Sequence, residues 1–143
     1  MYFTYKGKSS KDFNIKIFES NYLGFPKKNI EVIPIQGRNG SLLIDYGNFE
    51  NFNLYFNCDI KNTDLDYISV ELQKWLQTDI GYSDLVVYRN DVAVKTFSAA
   101  FISKLDLKEI CKNYGEIKLD FECKPFKVVS EWYQVLEIKM ILN

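Results

Sequence analysis

Asp120 and Glu122 stand two residues apart and are the chain's nearest approach to the carboxylate pair of a glycosidase. In such a pair one acid protonates the leaving oxygen while the other attacks the sugar or activates water. Both residues fall on the polar side of an alternating strand pattern, where charged side chains belong in any case, so a solvated face is the simpler account. Asp64 and Asp66 offer hard oxygen ligands to a cation, but the glycine and closing glutamate of a calcium loop are missing. Their place at the start of a helical pattern suits the positive end of a helix dipole instead. Gly37-Arg38-Asn39-Gly40 sets two glycines around a cation, as a phosphate loop would. It lacks the Gly-Lys-Ser/Thr ending and leads into a strand, which makes it a predicted hairpin turn.

His is absent, which removes the commonest general base and the commonest metal ligand together. No Ser or Cys can therefore be matched with a His base. Cys58, Cys111 and Cys123 are odd in number and show no Cys-x-x-Cys spacing, so three reduced thiols are expected. Cys58 and Cys123 sit on apolar faces and read as small buried hydrophobes. These features assign no catalytic residue, no metal ligand and no cofactor, and they make an enzyme an improbable reading.

The elements that must position any working surface are mostly strands. At 143 residues, with 47% hydrophobic and 26% charged side chains, the chain has the composition of one globular domain, 1–143. The 11 Phe and 10 Tyr favour strands over helices. A net charge of -1, with Arg38 and Arg89 as the only arginines, gives no footprint for specific nucleic-acid binding or an anionic membrane. The N-terminus has no basic-then-apolar signal pattern, and no apolar run is long enough to span a bilayer. A soluble protein not exported by a signal peptide is the expectation.

Tyr2 to Tyr5 reads as a strand with a turn at Gly7, after which Phe13, Ile15 and Ile17 alternate with polar residues. Ile30 to Ile35 is an apolar run in which Pro34 removes a ladder donor, placing it at an edge or a bend. Gly37 and Gly40 allow the reversal into Leu42-Leu43-Ile44. Phe52, Leu54, Phe56, Cys58 and Ile60 alternate with Asn51, Asn53, Tyr55, Asn57 and Asp59, the clearest two-faced strand. Leu65, Ile68, Leu72, Trp75 and Leu76 form one stripe of a helix over about 64–77, with Thr63 as its expected cap and Leu72, Trp75 and Leu76 as its anchor. Strands resume at Leu85 to Tyr88 and from about Val92 to Leu105. Ile117, Leu119, Phe121 and Cys123 then make a second two-faced strand, and the apolar tail from Val128 to Leu142 is expected to return to the sheet. About eight to ten strands and one helix amount to a mainly β fold. Its expected form is a two-sheet β-sandwich with one packed helix and a β-hairpin extension.

The order of short phrases carries a further signal. Lys6-Gly7-Lys8-Ser9-Ser10-Lys11-Asp12-Phe13 precedes Gln36-Gly37-Arg38-Asn39-Gly40. A helix ending Trp75-Leu76, an aromatic-containing strand from Leu85 to Tyr88, and Phe121-Glu122-Cys123-Lys124-Pro125-Phe126 follow. This series resembles the N-terminal domain of the distal tail (Dit) protein family of bacteriophages with long, non-contractile tails, over roughly residues 1–126. It departs from the family at Gln36, where Pro is usual, and at Asn39, where Asp is usual.

The resemblance implies a structural phage tail protein forming a ring of six copies at the tail tip. Such a ring joins the tail tube to the tip or baseplate hub, so the implied partners are further copies, the tail tube protein, and the hub and tape-measure proteins. It also implies residence in the virion after synthesis in the host bacterial cytoplasm. Many family members add a second domain that recruits receptor- or carbohydrate-binding modules, and nothing in 1–143 resembles it. The strand face bearing Asn51, Asn53, Tyr55 and Asn57 is a candidate subunit contact, although Asn is also ordinary strand surface. The rival reading is a monomeric ligand- or carbohydrate-binding β-sandwich in which exposed aromatics such as Tyr55, Trp132 or Tyr133 stack on sugar.

Overall fold

Period-two alternation and a single 3.6-residue stripe account for most of the secondary structure seen in a computed structural model, which describes residues 1–125 and 128–129. The chain opens with β1 (Tyr2–Tyr5), β2 (Lys8–Ser9), a 3-10 turn (Ser10–Phe13) and β3 (Ile15–Ser20). Next come β4 (Lys28–Pro34), β5 (Ser41–Phe49), β6 (Phe52–Lys61) and the helix α1 (Leu65–Gln77). The remaining strands are β7 (Ser83–Arg89), β8 (Val92–Ala100), β9 (Leu107–Cys111), β10 (Tyr114–Cys123) and β11 (Val128–Val129).

All pairings are antiparallel, and one path runs β2-β1-β7-β8-β10-β6-β3, with β9 added to β10 and β11 to β8. The path creases where β8 meets β10, because they share only the pairs Ala100–Glu122 and Ala99–Cys123. At the other end of that β10 edge, β9 pairs along Tyr114 to Ile117. The two halves fold face to face into a sandwich. Phe3 of β1 stacks on Phe56 of β6 at 4.5 Å between ring centroids, Tyr5 meets Phe121 of β10 edge-on at 5.2 Å, and Phe97 of β8 lies 6.0 Å from Phe52. Contacts of this kind add to simple area burial.

Among the described residues the expected architecture is the observed one, mainly β, a sandwich with one α-helix and a hairpin extension, and its strand pairs are antiparallel. On β6 the set Phe52, Leu54, Phe56, Cys58 and Ile60 is buried, and on β10 the set Ile117, Leu119, Phe121 and Cys123 is buried against it. The expected strand count is exceeded, with eleven among the described residues, because two are only two residues long. Phe13 belongs to the 3-10 turn and not to a strand; Ser9 caps that turn and Asp12 bonds back to the Ser9 N–H at 3.0 Å. The strand expected to reach Leu105 stops at Ala100, where the chain leaves the ladder and drops Phe101 into the core. Leu107–Cys111 then forms a separate edge strand on β10. Phe126 and the expected return of 130–142, with Trp132 and Tyr133, lie outside the described residues; Val128 and Val129 pair with Thr96 and Lys95.

The helix begins one residue later than Thr63 suggests. Asp64 has the non-helical backbone of a cap and accepts from Tyr67 N at 3.0 Å, while its own N–H is held by Asn62 Oδ1 at 3.0 Å. A carboxylate answers both the free N–H and the positive helix end, which a threonine hydroxyl does less well. Asp64→Ala is expected to lower stability by ~1 kcal/mol, read as a shift in urea midpoint, whereas Thr63→Ala should change it little. Equal effects from the two variants would remove the cap assignment.

Candidate functional site

The hairpin extension is β4 and β5, joined by the turn at residues 35–40 and forming a sheet of two strands. The turn works as its glycines require, with φ of 79° at Gly37 and 84° at Gly40, a region costly for other residues. Arg38 N donates to Ile35 O at 3.3 Å, and the Arg38 and Asn39 side chains project from the exposed tip. Pro34 closes an edge strand, as its missing donor demands. Nearer the base, Lys28 Nζ reaches Asp45 at 2.6 Å and Gly47 N donates to Asp45 Oδ1 at 2.8 Å. The bond from Lys28, helped by that from Gly47, holds the Asp45 carboxyl below the usual carboxylate range. The Tyr46 hydroxyl donates to Glu31 across the strands.

Polar pins thus set the register, but the hairpin is apolar on both faces. Val32 stands opposite Leu43, and Ile33 opposite Leu42. Val32 is 59% exposed and Leu43 64% exposed, with Ile30, Leu42 and Tyr46 exposed beside them. Near-continuous β-branched runs are the mark of strands covered on both sides. A lone two-stranded hairpin is at best marginal in water, and exposed apolar strands invite another chain.

The Asn and Tyr row lies on the outer face of β6, between β3 and β10. Glu19 accepts from Tyr55 Oη at 3.3 Å and from Asn57 Nδ2 at 3.0 Å, and its charge is the main reason the Tyr55 hydroxyl titrates above its ordinary range. Asn51 Nδ2 donates to Glu122 at 3.2 Å. Asn21, which sequence reasoning passed over, prolongs the ladder beyond β3 by accepting from Tyr55 N at 2.8 Å and donating to Asn53 O at 2.7 Å. Lys118 covers the Tyr55 ring at 4.9 Å and stands 3.9 Å from Asp120 Oδ1, a buried oxygen with no hydrogen-bond partner among the described residues. The row shares one face, but the side chains of Asn51, Tyr55 and Asn57 are already bonded to Glu122 or Glu19.

The anchor residues Leu72, Trp75 and Leu76 are buried against the sandwich and present nothing to a partner. Among the described residues no cluster of three His, Cys, Asp or Glu could hold a metal. An open depression of about 470 Å³ lies between Asn14, Lys61, Asn62, Thr63, Lys112, Asn113 and Tyr114, a lining with no carboxylate, imidazole or thiol to act as a base for its hydroxyls. Cys58 and Cys123 are buried while Cys111 is exposed, and burial, with the charge of Asp59 adding, pushes the Cys58 thiol up to about 12. A disulfide reagent at mildly alkaline pH should therefore titrate Cys111 alone in the folded chain and all three thiols in denaturant. Rapid reaction of Cys58 before unfolding would contradict the placement of β6.

No family model matches this sequence, and no curated protein matches it. Its backbone is similar to the crystal structure of the SPP1 Dit protein, presented as a paradigm of the hub adsorption apparatus in phages that infect Gram-positive bacteria. The TM-score is 0.71 over 90% of this chain, at 16% sequence identity. The chain has a Dit-like fold. It spans about half the length of SPP1 Dit, 51% of that chain, and the likeness at this identity is one of fold. The apolar runs 30–35 and 42–44 were visible in the sequence, but that no element among the described residues covers Val32 and Leu43 was not.

Proposed function

We propose that this chain is a structural component of a phage tail tip, of the distal tail type, and works without catalysis by self-association into a ring of six copies. The observation that carries this reading is the Dit-like backbone across 90% of the chain, and the ordered motifs from Lys6 to Pro125 agree with it. The ring would join the tail tube to the tip or baseplate hub, with the tape-measure protein as a further neighbour and the virion as its location. Neither nucleic acid nor a membrane is a partner in this reading.

The hairpin supplies the means. An arm that projects from one copy and lies on the next makes a head-to-tail contact, and such contacts close into rings when the rotation permits. Apolar pairs such as Val32–Leu43 provide area, and unpaired strand edges provide donors and acceptors for the neighbour. The Asn51, Asn53, Tyr55 and Asn57 face is a secondary contact, since its side chains already bond to Glu19 and Glu122. A net charge of -1 leaves little repulsion between stacked copies.

Native mass spectrometry over a concentration series tests the reading. A sixfold species that grows with concentration is the expected result. A chain that stays monomeric at every concentration and captures glycans on an array would replace it with the carbohydrate-module reading.

A further inference from the structure

Asn39 is the one asparagine in the whole sequence that is followed by glycine. It sits at the exposed tip of the β4–β5 hairpin, in a segment outside the ladder, and no hydrogen bond from Gly40 N is present among the described residues. The hairpin is held by two strands only, so local opening at its tip is easy. Gly40 has no Cβ to obstruct approach to its nitrogen, and nothing lies within 4 Å of where one would stand.

We propose that Asn39 is a spontaneous modification site that converts to aspartyl and isoaspartyl forms. Gly40 N loses its proton to water or hydroxide and attacks Asn39 Cγ, forming a C–N bond. The Cγ–Nδ2 bond breaks and ammonia leaves with the proton it needs, closing a five-membered imide. Water then adds to one of the two imide carbonyls, giving an ordinary aspartyl residue when it opens one bond and an isoaspartyl link when it opens the other. No electron changes hands, and water is the only co-reactant. The product carries one more negative charge beside Arg38, and the isoaspartyl form adds a methylene to the main chain of the turn.

The other asparagines serve as internal controls. Cleavage after lysine releases the fragment 29–61, in which Asn29, Asn48, Asn51, Asn53 and Asn57 all precede residues with side chains. On ageing the intact chain in mildly alkaline buffer, this fragment should gain about one dalton, localised to Asn39 by fragmentation and with isoaspartyl detected beside it. Gly40→Ala should slow the gain by roughly tenfold. Because that variant also strains the turn, a free peptide of residues 35–42 is aged in parallel. Conversion of the peptide while Asn39 in the chain stays intact would overturn the proposal, as would gains shared evenly among the asparagines. The mass gain does not depend on ring formation. Whether the added charge weakens assembly rests on the proposed function, and is read separately as loss of sixfold species in Asn39→Asp.

Discussion

Trp75→Ala is expected to lower the unfolding free energy by ~3–5 kcal/mol, the largest loss of any single substitution considered, read as a fall in urea midpoint at unchanged slope. Trp75 is 5% exposed and holds the helix to two other elements at once. Its ring stacks on Phe13 of the 3-10 turn at 4.7 Å and on Phe3 of β1 at 5.7 Å, and meets Tyr5 edge-on at 6.4 Å. Its indole N–H donates to Tyr5 O at 2.7 Å. Truncation removes the stacked rings, opens a cavity under α1 and takes away the donor to Tyr5 O. Trp75→Phe separates these terms, since a ring remains and the indole N–H does not. It should cost about 1–3 kcal/mol, the range for a buried carbonyl left without its partner. A domain of this size is stable by about 5–15 kcal/mol, so the alanine variant loses roughly a fifth or more of that margin. A loss below ~1 kcal/mol would mean that α1 does not seat on β1 through this side chain.

The second large effect concerns assembly. Val32→Lys combined with Leu43→Glu replaces an apolar cross-strand pair with an oppositely charged one. The hairpin keeps a favourable pair across its ladder, but a neighbouring copy loses an apolar surface. Burying a Val or Leu side chain contributes about 1.5–3 kcal/mol, so two removed at each contact weaken it by ~3–6 kcal/mol, more than a hundredfold in affinity. In a closed ring every contact carries the change, so the sixfold species should vanish from native mass spectra while circular dichroism and the thermal midpoint stay near the parent's. The pair Ile33 and Leu42 tests the opposite face, because alternation along β4 and β5 turns them the other way. Rings that survive both double variants would show that the arm is not the contact. A chain that never forms rings, mutated or not, would instead remove the ring reading itself.

Much of the secondary structure was legible because it is local. The alternation of β6 and β10 repeats every two residues within a single strand, and the stripe of Ile68, Leu72, Trp75 and Leu76 repeats every turn within a single helix. The reversal at Gly37 and Gly40 is likewise set by its own residues. Where local signals competed, the reading slipped. Phe13 continues an apolar alternation with Ile15 and Ile17, yet Ser9 and Asp12 cap a 3-10 turn there and Asn14 ends it with φ of 57°. Thr63 and Asp64 are both able caps, and the choice between them depends on Asn62, which holds the Asp64 N–H. Residues 101–105 look like more strand, but the sheet creases beside them and Phe101 is pulled inward to meet Phe121 at 5.3 Å.

The candidate site was legible only as parts. Ile30 to Ile35 and Leu42 to Ile44 are apolar runs in any reading, and a run alone does not say whether something lies over it. Nor could the sequence pair Glu19 with Tyr55, place Asn21 at the end of β3, or find Tyr5 O for an indole seventy positions away.

By itself, then, the sequence determined most of the strands, the helix, the apolar side of the clearest of them, and the turn at Gly37 and Gly40. Those properties follow from the periodicity of side chains along a backbone and from the φ that each residue tolerates. The tertiary structure alone decided that β1 pairs with β7, that the sheet folds at Ala99 and Ala100, and that β4 and β5 form a separate sheet with Val32, Leu42 and Leu43 exposed. Each of these is a contact between residues far apart in the chain, selected by closing many loops at once around one shared core, and no local pattern records such a choice.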